Sequence, residues 1–120
     1  MREKGMRTAG VVTTFLLATS VSLPQSNDRL FTGEIMDSPC AAMGTHDRMM
    51  KGLEAKDAKD CSQKCVRMVG KYVLYDPANK ATYQIDDQQK SAAYAGQKVT
   101  VKGTYDAASK TIHVERIGSQ

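Results

Sequence analysis

Two kinds of pattern alternate along the chain. From Leu30 to Asp37 the positions alternate with period two: Phe31, Gly33, Ile35 and Asp37 share one face, and Leu30, Thr32, Glu34 and Met36 share the other. This predicts a first strand, with Gly33 marking a bulge or tight bend. Ser38-Pro39 ends it, because proline cannot donate to a ladder. Lys71–Tyr75 and Ala81–Ile85 read as two more strands joined by the turn Asp76-Pro77-Ala78-Asn79-Lys80. Lys98–Tyr105 alternates, and Asp106–Lys110 turns the chain into Thr111–Ile117, where Ile112 and Val114 point inward and His113 outward.

Helical spacing is strongest over Asp57–Val69. Cys61, Cys65, Met68 and Val69 recur at i, i+4, i+7 and i+8 and predict one apolar face. Asp60 is the expected cap, with Gln63 as its capping-box partner and Asp57 as the alternative. Gly70 stops the helix. Ala41–Ala55 reads as loop with a helical turn over Asp47–Leu53, and Asp86–Ala95 as a short helix that ends at Gly96. The sum is an α+β, mostly β, chain. Five strands, a helical insert over 38–70 between strands 1 and 2, and a short helix between strands 3 and 4 match a small oligonucleotide/oligosaccharide-binding-like (OB-like) barrel. The domain is expected over residues 30–118. An open five-stranded sheet crossed by a helix is the alternative.

The first 22 residues read differently. Arg2, Lys4 and Arg7 precede a short apolar run, Ala9–Ala18, and small residues at Ala18-Thr19-Ser20 or Ser20-Val21-Ser22 offer a cleavage site. The expectation is a signal peptide over 1–22, a flexible mature N-terminus over 23–29, and a periplasmic or secreted product. A run of about ten apolar residues is too short for a membrane span. After removal of the signal, 14 Lys/Arg stand against 12 Asp/Glu, interspersed and without a basic stripe. Nucleic acid is therefore not an expected partner. Tyr72, Tyr75, Tyr83 and Tyr105 are expected to be sheet packing before base-stacking platforms. A carbohydrate, a peptide, another small ligand, a metal ion or an envelope protein remain as partners.

The chemistry-bearing residues gather in the insert. All three cysteines, Cys40, Cys61 and Cys65, lie there with His46. The first expectation is a disulfide of Cys40 with Cys61 or Cys65, tying the insert to the barrel and leaving one thiol over. Closing a loop of about 20–25 residues stabilises by roughly 3 kcal/mol. The second is a soft-metal site, Zn²⁺ or Cu(I), built from Cys40, His46, Cys61 and Cys65, because two thiols at i, i+4 share a helix face. The third is a thiol redox role for the odd cysteine. The Cys-x-x-Cys-His of covalent haem and the Cys-x-x-Cys of thioredoxins are absent. No carboxylate pair is placed across a cleft, and a Cys65–His46 nucleophile pair lacks an orienting third group, so no enzyme is expected. Met49, Met50 and Met68 are expected to fill core, while Met36 and Met43 flank Cys40.

The runs T-G-E-I-M-D-S-P-C (Thr32–Cys40), D-C-S-Q-K-C-V (Asp60–Val66) followed by K-Y-V-L-Y (Lys71–Tyr75), and A-G-Q-K-V-T-V-K-G-T-Y-D (Ala95–Asp106) with T-I-H-V-E-R-I (Thr111–Ile117) resemble a family of small exported bacterial domains. Its members share a cysteine after the first strand, a nearby histidine, a Cys-x-x-x-Cys-Val helix and a barrel-like tail. The likeness spans about residues 30–117 and marks Cys40, His46, Cys61 and Cys65 as the shared positions. It implies a fold and brings no substrate with it.

Overall fold

A computed structural model describes residues 10–12, 14–22 and 27–120. The basic start of the expected signal peptide, Ala9 and Thr13 of its apolar run, and residues 23–26 of the expected flexible segment lie outside the described residues. Residues 10–12 and 14–22 carry no helix or strand, and Val11, Val12, Phe15, Leu16, Leu17 and Val21 are 82–90 % exposed. No described helix is long and apolar enough to cross a membrane.

The chain is α+β and mostly strand. In order it forms β1 (Arg29–Asp37), α1 (Ser38–Met43), α2 (Asp47–Gly52), α3 (Ala58–Met68), β2 (Tyr72–Asp76), β3 (Ala81–Ile85), α4 (Gln88–Ala92), β4 (Lys98–Asp106) and β5 (Thr111–Ser119). The five strands make one mixed sheet that closes into a ring, β1-β2-β3-β5-β4, with β4 returning to β1. All pairs are antiparallel except β3–β5, which meet in parallel over Gln84↔Thr111 and Ile85↔Ile112. β1 serves two neighbours: Arg29–Glu34 pair with β4 and Glu34–Asp37 with β2. Gly33 sits at that change of partner, where a Cβ would collide with the Tyr75 carbonyl oxygen. The irregularity in the ladder falls elsewhere, between Lys102 and Gly103 of β4.

The period-two pattern fills the inside of the ring. Phe31, Ile35, Leu74, Val99, Val101, Ile112 and Ile117 are all buried there. Phe31 meets Tyr83 and Tyr105 edge-on or tilted, with ring centroids 5.3 and 5.8 Å away, so two of the strand tyrosines pack against the interior as expected. β2 is buried on both faces, since Val73 points out of the ring and is nonetheless covered. It joins Met36, Cys40, Ala41 and Cys61 in a second, smaller core between the ring and the helices that join β1 to β2, with Met49 and Met50 packed against it.

Three details differ from expectation. The segment after Pro39 is helical at once: Asp37 caps α1 and Pro39 occupies its first turn, where a missing N–H costs nothing. The cap of α3 is Asp57, whose Oδ1 accepts from Asp60 N at 2.8 Å; Asp60 lies inside the first turn and pairs with Lys64 at 3.0 Å. The apolar face of α3 is shorter than its spacing suggests. Met68 and Val69 are 65 % and 82 % exposed, because the helix ends there and leaves the sheet, while Ser62 is buried in their place. At α4, Asp87 caps by accepting from Lys90 N at 2.9 Å, and Asp86 accepts from Val114 N and contacts His113 Nδ1 at 3.0 Å.

Candidate metal centre

The end of β1 and two helices converge on one point. β1 delivers Asp37, the last residue of the strand. α1 delivers Cys40 one turn later, because Asp37 Oδ2 accepts the Cys40 N–H at 2.9 Å and so starts the helix. α3 delivers Cys61 and Cys65 on consecutive turns of one face. One ligand atom from each of Asp37, Cys40, Cys61 and Cys65 lies within 4.8 Å of all the others, close enough to hold a metal ion. All four residues are buried, three of them without exposed surface and Cys65 at 1 %.

The three cysteines are free thiols, and Cys40 Sγ and Cys61 Sγ stand 4.0 Å apart. That is about twice a disulfide bond length, so the expected bridge of Cys40 with Cys61 or Cys65 is not formed in this structure. Two thiolates on one tetrahedral zinc, each at about 2.3 Å, are about 3.8 Å apart.

Electrostatically the cluster is short of positive charge. Burial, and then the Asp37 carboxylate, push the Cys40 thiol far above its ordinary range. Burial and Asp37 likewise push Cys65 up to about 12, and burial raises Cys61. Among the described residues, three buried side-chain polar atoms have no hydrogen-bond partner: Asp37 Oδ1, His46 Nδ1 and Ser62 Oγ. A buried polar group without a partner costs about 1–3 kcal/mol and requires an explanation. Two of these orphans lie in or against the thiol cluster, as they would if a cation belonged there.

His46 stands beside this cluster and not within it. It precedes α2 without capping it; its ring is turned inward, with Nε2 2.7 Å from Glu34 Oε1 and Nδ1 3.9 Å from Asp37 Oδ1. The hydrogen bond to Glu34 raises its pKa against the opposing effect of burial, with the charges of Glu34, Asp37 and Asp47 adding to the rise. The structure therefore brings Cys40, Cys61 and Cys65 together as expected and adds Asp37. The signal for Asp37 was present: an acidic residue on the same face of β1 as Phe31 and Ile35 must enter the interior and needs a partner there. Comparison with protein-family models, with curated proteins and with solved structures finds no match for the chain.

Proposed function

We propose that this is an exported, non-enzymatic binding or structural module on an OB-like barrel whose helical insert is stapled by a metal ion. The observation that carries this reading is the buried group of three thiols and a carboxylate, whose Asp37 Oδ1 has no hydrogen-bond partner. Three thiolates with one oxygen or nitrogen donor are a zinc ligand set. Cu(I) stands second: the thiols suit it, and Met36, Met49 and Met50 pack around the same core, but a carboxylate is a hard donor that Cu(I) does not favour. Four protein donors without solvent exposure leave no open position, which favours a structural role over a catalytic one.

The thiol chemistry also ranks the alternatives. Thiols raised by burial hold few thiolates at neutral pH and are poor nucleophiles, which disfavours a redox role. The bare cluster therefore keeps protons on its thiols, and a cation replaces them. Export is part of the same proposal. Its supports are the charged and apolar order of the first residues and the exposure of Val11, Val12 and Phe15–Leu17, an apolar stretch that a finished soluble domain would bury or lose.

Cobalt(II) titration of the reduced, metal-free protein tests the metal reading. Expected is a near-ultraviolet thiolate-to-cobalt band that saturates at one ion per chain and disappears when zinc is added. Absence of that band at micromolar cobalt, with the protein folded, overturns the proposal.

A further inference from the structure

Asp37 Oδ1 and His46 Nδ1 are both buried, both without a hydrogen-bond partner, and 3.9 Å apart beside the thiols. His46 does not float there. Its Nε2 is tied to Glu34 Oε1 at 2.7 Å, and Glu34 is fixed within β1 between its two partner strands. A carboxylate oxygen has no proton to give, so Nε2 carries the N–H and donates it. Nδ1 is then the ring nitrogen left for a cation. Metal-binding histidines are held in this way, one nitrogen on the ion and the other N–H on a carboxylate that sets the tautomer and the ring orientation.

We propose that Glu34 is a positioning residue of the metal centre: it fixes the His46 ring so that Nδ1 faces Asp37 Oδ1 and takes its place as the fourth donor beside the three thiolates. This rests on the metal-stapled reading above. Nδ1 stands 3.9 Å from Asp37 Oδ1, so an inward movement of the start of α2 exchanges the two at one tetrahedral position. Charge favours the same outcome. Asp37 already spends Oδ2 on the Cys40 N–H, and three thiolates with a carboxylate overcompensate a divalent ion. A neutral imidazole in the place of Asp37 completes the four donors without adding negative charge to the ligand set. Glu34 is the member that sequence spacing hides, since it faces away from Ile35 and Asp37 on β1 and reaches the site only through the ring of His46.

The experiment combines nitrogen-15 NMR of the two histidine rings with zinc affinity by chelator competition. The proteins are wild type, Glu34→Ala, Glu34→Gln, His46→Ala and the remote control His113→Ala. Expected on zinc binding is a shift of His46 Nδ1 with its Nε2–H retained, and no change at His113. Glu34→Ala lowers affinity about 10- to 100-fold while one ion per chain still binds, and Glu34→Gln, which keeps an oxygen acceptor, recovers most of the loss. A wild-type protein that binds one zinc without moving His46 Nδ1, and as tightly after Glu34→Ala, overturns this inference and leaves the site with Asp37 as its fourth ligand. A wild-type protein that binds no zinc overturns the metal reading itself and this inference with it.

Discussion

Replacing Cys61 with alanine separates the metal from the disulfide. Cys61 has no exposed surface and packs with Met36, Cys40, Ala41 and Val73. Without metal, Cys61→Ala removes one sulfur from a small apolar core. That resembles deleting a buried methylene with a small cavity left behind, about 1 kcal/mol. With metal, the change also removes a ligand. A ligand at about 1,000 times its dissociation constant stabilises by about 4.1 kcal/mol, and a 100-fold weaker site at the same concentration by only about 1.4 kcal/mol. The cost of Cys61→Ala should thus rise from about 1 kcal/mol in chelator to about 4 kcal/mol in zinc. For a domain of this size that is a Tm difference of roughly 5 °C growing to roughly 15–30 °C. Thermal unfolding of both proteins in reductant, with chelator and with buffered free zinc, reads it directly. A Cys40–Cys61 disulfide would behave differently: its loss costs about 3 kcal/mol, needs no zinc, and vanishes when reductant is present. Equal costs in chelator and in zinc would refute the reasoning.

Zinc binding should tighten as pH rises, because burial and Asp37 keep the cluster thiols protonated in the free protein and each bound thiolate releases its proton; calorimetry in buffers of different ionisation enthalpy counts the protons, and a pH-independent affinity would contradict it. Gly96→Ala should destabilise by at least about 2 kcal/mol, since Gly96 has φ +73° and a Cβ there would lie 2.5 Å from Lys59 N at the start of α3; urea unfolding checks it, and an unchanged midpoint would mean that α3 does not dock there. Acid should loosen the β2–β3 and β4–β5 turns first. Hydrogen bonds from Asn79 and Ser109 hold Asp76 and Asp106 below their ordinary value of 3.8, and at Asp86 the Val114 N–H and His113 outweigh burial. Depressed carboxylates contribute stability that is present above that ordinary value and is lost as pH falls through the lower folded one; amide exchange of the turn residues between pH 5 and 2.5 follows it, and uniform protection across that range would contradict it.

β1, β4 and β5 are legible in the sequence because each carries a period-two pattern, as Val99 and Val101 of β4 show, while β2 and β3 are legible from the turn Asp76–Lys80 that joins them. α3 is legible because Cys61 and Cys65 share a face. α1 is not, because six residues give less than two turns of periodicity and its start depends on a cap. The exposure of Met68 and Val69 is not legible either, since spacing tells which residues share a face but not where the partner sheet stops. At the site, the thiols are legible from their types and spacing. Asp37 is legible only when its place on the inward face of β1 is taken as an anomaly. Glu34 is not legible, because its link to His46 crosses from a strand to a helix that sequence alone does not orient.

The most direct test of the metal-stapled insert is native mass spectrometry of the protein, isolated without added metal or reductant and followed by thiol counting in denaturant with chelator. The account predicts one zinc per chain and three alkylatable thiols, at Cys40, Cys61 and Cys65. A metal-free chain with one free thiol and two joined as a disulfide would contradict it.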